Sequence, residues 1–124
     1  MKKKILLVDD NPDLRYSVIE GIGSVSDDYE FVEAESGSEA FAKLKYVKVD
    51  AILLDVMMPD LDGWEVATQI KNDDSLKDIP IIFLTAKTDE FSRRMGRLKG
   101  DEFMEKPFQV MELKGCLDKF TGVA

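Results

Sequence analysis

Three short apolar runs constrain this chain more than any other feature: Ile5-Leu6-Leu7-Val8, Ala51-Ile52-Leu53-Leu54 and Ile81-Ile82-Phe83-Leu84. None alternates with polar residues. A strand with one wet face alternates, so an unbroken run is what a strand needs when both its faces are covered, as in a parallel sheet. Two weaker runs, Tyr29 to Ala34 and Glu102 to Glu105, alternate more and read as flanking or edge strands.

Helical periodicity fills the intervals. Asn11-Pro12 supplies a cap and a proline suited to a first turn, and Leu14, Val18, Ile22 and Val25 then form one apolar stripe. Ser36 and Glu39 have the spacing of a capping box ahead of Ala40, Phe41 and Leu44. Gly63 precedes a helix carrying Val66, Ala67 and Ile70. Phe91, Met95 and Leu98 share one face, and Val110, Leu113, Leu117 and Phe120 share another. Strand and helix therefore alternate five times, without repeats or linkers. The economical architecture is an α/β fold with a doubly wound, five-stranded parallel sheet, right-handed crossovers and helices on both faces. A length of 124 residues favours one domain, 1–124, with no effector domain expected after it.

Composition narrows the function. The net charge of −8 argues against direct contact with nucleic acid, whose phosphates need a basic face. One cysteine, Cys116, allows no intrachain disulfide and reads as a small buried residue in a reducing compartment. Met1-Lys2-Lys3-Lys4 starts like a signal peptide, but the apolar run behind it stops at Asp9-Asp10, too early for export or a membrane span. A cytoplasmic location with no membrane partner is expected. The chain has no histidine, which removes histidine catalysis and histidine metal ligation together.

In a doubly wound sheet, ligands bind outside the carboxyl ends of the strands. Asp9 and Asp10 follow the first strand, Asp55 ends the third, Thr85 the fourth and Lys106 the fifth, so all five fall on that edge. Singly, each has a plainer explanation: loop acids, a strand-end threonine, a solvated lysine. Together they are complementary. Crowded carboxylates repel one another unless they are protonated or share a hard cation, and an oxygen-only set suits Mg²⁺, with Mn²⁺ as a substitute, rather than zinc. A metal beside a carboxylate, with a lysine and a hydroxyl opposite, is what phosphoryl transfer requires. Asp55, alone at its strand end, is the natural nucleophile. Asp10 is the better candidate for direct metal ligation, and Asp9 for holding a metal-bound water.

Taken in order, Asp9-Asp10, Asp55-Val56-Met57-Met58-Pro59 with Gly63, Thr85-Ala86 and Lys106-Pro107-Phe108 resemble the receiver domain of two-component response regulators, over essentially the whole chain. The resemblance implies a flavodoxin-like fold with strand order 2-1-3-4-5. It implies that Asp55 is a phosphoacceptor served by a histidine kinase or histidine phosphotransfer protein. It implies Mg²⁺ held by Asp9, Asp10, Asp55 and the backbone carbonyl of Met57. Lys106 would contact the phosphoryl group, its bond to Pro107 would be cis, and Thr85 with Phe103 would form the switch pair.

Such a domain is a phosphorylation-dependent signalling switch that catalyses only its own phosphoryl uptake and slow loss. Its output would pass through the fourth helix, fifth strand and fifth helix to a protein target or a second copy. Two positions depart from the family pattern. Lys99-Gly100 stands where Gly-Ala is frequent, and Phe103 replaces a frequent tyrosine, so coupling through it acts by packing alone. Arg97 and Lys99 would give a basic output surface for an acidic partner beyond the Thr85 loop, and the resemblance implies that Met57 and Lys87, two residues beyond Asp55 and Thr85, would screen a phosphoryl group from water.

Three other classes fit less well. A phosphorylation-independent interaction module would not need the acidic set, Thr85 and Lys106. A flavin carrier would want a Ser/Thr/Gly-rich loop where Asp9-Asp10-Asn11 stands, and a phosphatase with an aspartyl intermediate would want a substrate-covering insertion.

Overall fold

The computed structural model describes residues 2–56, 58, 63–85 and 102–123. The elements run β1 (Lys3–Val8), α1 (Pro12–Val25), β2 (Tyr29–Ala34), α2 (Gly37–Leu44), β3 (Ala51–Asp55), α3 (Gly63–Lys71), β4 (Ile81–Thr85), β5 (Glu102–Glu105) and α4 (Val110–Thr121). The expected helix around Phe91 to Leu98, with Arg97 and Lys99, lies outside the described residues, as do Met57 and Lys87.

All strand pairings are parallel, in the order β2-β1-β3-β4-β5. The two weaker runs are the edges, as their alternation predicts. The central runs are continuous because their side chains divide between two cores. Ile5, Leu7, Ala51, Leu53, Ile82 and Leu84 meet Val18 and Ile22 of α1 and Leu113 and Leu117 of α4 on one face. Leu6, Val8, Ile52, Leu54, Ile81 and Phe83 meet Ala40 of α2 and Val66, Ala67 and Ile70 of α3 on the other. Every residue of β3 and β4 is buried. Each large apolar side chain so placed contributes roughly 1.5–3 kcal/mol of transfer free energy.

Caps set where the helices begin. The Asn11 side chain accepts the backbone N–H groups of Asp13 and Leu14 at 2.9 and 3.3 Å, and Pro12 opens α1. Ser36 accepts the N–H of Glu39 at 3.1 Å, but only that half of the expected capping box forms, because the Glu39 carboxylate turns to Lys43, 3.7 Å away. The α1 stripe also stops short: Val25 is 43% exposed, while Val18 and Ile22 are buried. Cys116 is buried as expected, and burial pushes its thiol up to about 11.

Gly63 is fixed by close approach. It starts α3 against the end of β3, its N–H donating to the Val56 carbonyl at 3.0 Å. A Cβ on it would lie 2.5 Å from the Asp55 carbonyl oxygen and 2.6 Å from the Val56 Cα.

Candidate functional site

Because all five strands are parallel, their carboxyl ends share one edge. β1 leaves Asp9 there, its N–H donating to the Ala34 carbonyl at the end of β2 at 3.0 Å. Asp55 ends β3 and pairs in register with Leu84, and Thr85 ends β4 opposite Glu105. Lys106 follows β5, its N–H donating to the Thr85 carbonyl at 2.6 Å. The Lys106–Pro107 bond is cis.

The structure brings three of the predicted carboxylates together: Asp9, Asp10 and Asp55 each offer an oxygen within 4.8 Å of the others. Asp9 and Asp55 are buried, while Asp10 is exposed. Lys106 reaches in from β5, its Nζ 2.9 Å from Asp9 Oδ2 and 3.7 Å from Asp55 Oδ2. The other Asp9 oxygen accepts the Asn11 N–H at 2.9 Å. The Asp10 side chain has no hydrogen-bond or ion-pair partner among the described residues.

This donor set fits a hard divalent cation. Three negative charges against one ammonium leave two in excess, and removing them from bulk water makes their repulsion costlier. A divalent ion restores neutrality, and an oxygen-only set with one carboxylate open to solvent suits a cation that keeps part of its water.

Thr85 and Phe103, also predicted, are close by in the fold. Thr85 is buried at the same edge. Phe103, partly buried in the α3-side core, pairs in register with Phe83, two residues before Thr85 on its strand. With a side-chain period of two, Thr85, Phe83 and Phe103 share one face of the sheet. Trp64 stacks on that face, its ring centroid 4.6 Å from Phe83 at 48°. Met57, the proposed carbonyl ligand, lies outside the described residues.

The acidic edge also contains a residue that sequence reasoning missed. Arg15 of α1 donates through Nη1 to the Asp9 carbonyl at 2.5 Å and through Nε to Glu33 Oε1 at 3.0 Å. The available signal was weak: an arginine within the first turns of a helix that opens directly after two acids.

Comparison with known proteins agrees with this geometry. The family model described as the response regulator receiver domain matches residues 5–118. The alkaline phosphatase synthesis transcriptional regulatory protein PhoP of Bacillus subtilis is 41% identical over 91% of this chain and 46% of its own length. Protein PilG of Pseudomonas aeruginosa is 33% identical over 92% of this chain and 84% of its own. The chain thus spans about half the length of some curated relatives and most of another. Among solved structures, chemotaxis response regulator CheY4 of Vibrio cholerae superposes with a TM-score of 0.87 at 29% identity, covering 97% of this chain and 99% of that one. Response regulator TrrA of Thermotoga maritima, solved in complex with Mg(2+)-BeF, gives a TM-score of 0.83 at 36% identity, covering 95% and 98%. Family model, relatives, strand order and acidic edge agree: the chain belongs to the receiver domains of two-component response regulators.

Proposed function

We propose that this domain accepts a phosphoryl group on Asp55 from a histidine kinase or histidine phosphotransfer protein, with Mg²⁺ held by Asp9, Asp10, Asp55 and the Met57 carbonyl. The observation that carries the reading is the placement of Asp55. It is a buried carboxylate at the end of the central strand, beside two further acids and 3.7 Å from the Lys106 ammonium.

An Asp55 oxygen forms the new bond to phosphorus as the bond from phosphorus to the donor breaks, and the donor leaves with its electron pair. The cation, when bound, offsets negative charge on the carboxylates and the transferring oxygens. Lys106 supplies a fixed positive charge to the same oxygens, and the Thr85 hydroxyl supplies a hydrogen bond once they arrive. Movement of Thr85 toward the phosphoryl group vacates space on the face it shares with Phe103. That change biases a pre-existing equilibrium of the surface that carries β5 and α4. We assign that surface to a protein target or a second copy, and give these 124 residues no direct contact with nucleic acid or membrane. Among the described residues no helix is long and apolar enough to cross a bilayer.

The test is intact mass after incubation with Mg²⁺ and acetyl phosphate. The wild type gains one phosphoryl group and Asp55→Asn gains none while remaining folded. Modification of Asp55→Asn to the wild-type extent would remove Asp55 as the acceptor.

A further inference from the structure

Asp9 is held at every polar atom. Its N–H meets the Ala34 carbonyl, its Oδ1 the Asn11 N–H, its Oδ2 the Lys106 ammonium, and its carbonyl oxygen the Arg15 guanidinium. The last contact bears directly on Asp10. The carbonyl of Asp9 and the N–H of Asp10 belong to one planar peptide group, so a bond that fixes the carbonyl also fixes the plane from which Asp10 projects. The Asp10 carboxylate has no partner of its own among the described residues to orient it.

Arg15 is built for this task. Its side chain is 13% exposed, whereas Glu33, against which it braces, is 48% exposed. A guanidinium presents its donors in a rigid fork, so the Glu33 bond through Nε fixes the direction in which Nη1 points. The backbone that carries Glu33 is itself held, because the Glu33 carbonyl accepts the Lys43 ammonium at 2.6 Å and the carbonyl of the next residue, Ala34, accepts the Asp9 N–H. Lysine at position 15 could not reproduce the fork.

We infer that Arg15, braced by Glu33, is a positioning residue that sets the Asp9–Asp10 peptide plane and through it the affinity of the acidic edge for a divalent cation. The inference rests on the proposed Mg²⁺ site and adds a determinant to it. Groups that orient metal ligands typically govern affinity by about 10–100-fold, and Arg15 acts one covalent link further away, so a loss of about tenfold is expected.

Charge alone predicts the opposite sign. Removing the Arg15 cation leaves the corner more negative, which strengthens cation binding. Replacing Arg15 and Glu33 together leaves the local net charge unchanged and isolates the geometry.

Mg²⁺ affinity is therefore measured by amide chemical-shift titration of the wild type, Arg15→Gln, Arg15→Gln/Glu33→Gln, Arg15→Lys and Asp10→Ala, with urea midpoints recorded for each. The clamp requires both glutamine variants to bind Mg²⁺ about tenfold more weakly than the wild type, and Arg15→Lys to fall between. A double-variant Kd within twofold of the wild type, or tighter binding by Arg15→Gln, overturns it, whatever happens to the urea midpoint. If the double variant does not fold, Arg15→Lys decides by the same twofold criterion. Failure of the underlying site looks different: the wild type shows no saturable binding, or Asp10→Ala binds like the wild type.

Discussion

Replacing Gly63 with alanine tests whether the fold and the site share one mechanical joint. The new Cβ would sit 2.5 Å from the Asp55 carbonyl oxygen, 2.6 Å from the Val56 Cα and 3.1 Å from the Asp55 carbonyl carbon. All three are backbone atoms at the end of the central strand, so no side chain can swing aside. Ordinary contact begins at 3.4 Å, and the first turn of α3 must therefore retreat by somewhat under about 1 Å. That retreat weakens the Gly63 N–H bond to Val56, worth about 1 kcal/mol, and lifts Val66, Ala67 and Ile70 from the sheet, where overpacking typically costs about 1–3 kcal/mol. Alanine's advantage over glycine in a helix, about 1 kcal/mol at mid-helix and less at the first position, offsets only part. The net is a destabilisation of about 2–3 kcal/mol. At about 4 °C per kcal/mol for a domain of this size, Tm falls by about 8–12 °C.

The comparison variant is Gly23→Ala in α1, where an added Cβ meets nothing within 4 Å among the described residues. The same chemical change there stabilises by about 0.5–1 kcal/mol. Thermal unfolding and urea titration followed by Trp64 fluorescence measure both. A Gly63→Ala protein with a Tm within about 2 °C of the wild type would refute the argument, since the strand end would then yield freely.

Two further predictions concern charge. Asp10→Asn removes one of three mutually repelling carboxylates, so without metal the variant melts above the wild type. It should also lose the stabilisation of about 2.7 kcal/mol expected of the wild type with Mg²⁺ at a hundredfold excess over Kd, and melting curves with and without Mg²⁺ measure both effects. At the opposite end of the sheet, the Tyr29 hydroxyl donates to Asp118 at 2.5 Å and lies 3.3 Å from the Thr121 hydroxyl. Burial first, and then the Asp118 hydrogen bond, push this phenol well above its ordinary value of 10.0. The folded state thus favours the neutral phenol, so its contribution is fully present below pH 10 and is lost as pH rises beyond it. Tyr29→Phe should cost about 1–2 kcal/mol at neutral pH. The gap between its urea midpoint and that of the wild type should narrow as pH rises above 10.0, and a constant gap there would count against the assignment.

How much was legible in the sequence depended on whether a residue's partner was implied by periodicity. Ile5 to Val8 announced a strand covered on both faces because every residue in a central parallel strand has a core to enter, and odd and even positions do enter opposite cores. Asn11-Pro12 announced a helix start because its partners are the helix's own N–H groups. The five edge residues were legible because parallel strands deliver their ends to one side. Ser36 and Glu39 were half legible, since Glu39 had a competing partner in Lys43 that spacing also allowed. Arg15 was not legible: an arginine on a helix surface is ordinarily a solvated charge, and its target, a backbone carbonyl, carries no mark in the sequence. Gly63 was legible as part of a family pattern, but the reason for it lay in an approach between two backbones.

The strand order explains why the acids meet at this point. β1 lies between β2 and β3, so the chain leaving β1 and the chain leaving β3 turn to opposite faces: α1 packs on the core with Ile5 and Leu7, α3 on the core with Leu6 and Val8. A crevice opens between those departures, and its walls are the first residues past β1 and the last residue of β3. Burial at this crevice has opposite consequences along a single strand. For Ala51 to Leu54 it is the main source of stability. One residue later, at Asp55, it withholds water from a charge whose nearest compensation, Lys106, is shared with Asp9. Core and site are therefore one structure under opposing demands, and the rigid core is what keeps the carboxylates from drifting apart to relieve their repulsion. On the proposed function, a cation or a covalent change at Asp55 would act on this buried strand end, and Thr85 and Phe103, on the face shared with α3, are the side chains proposed to pass the response on.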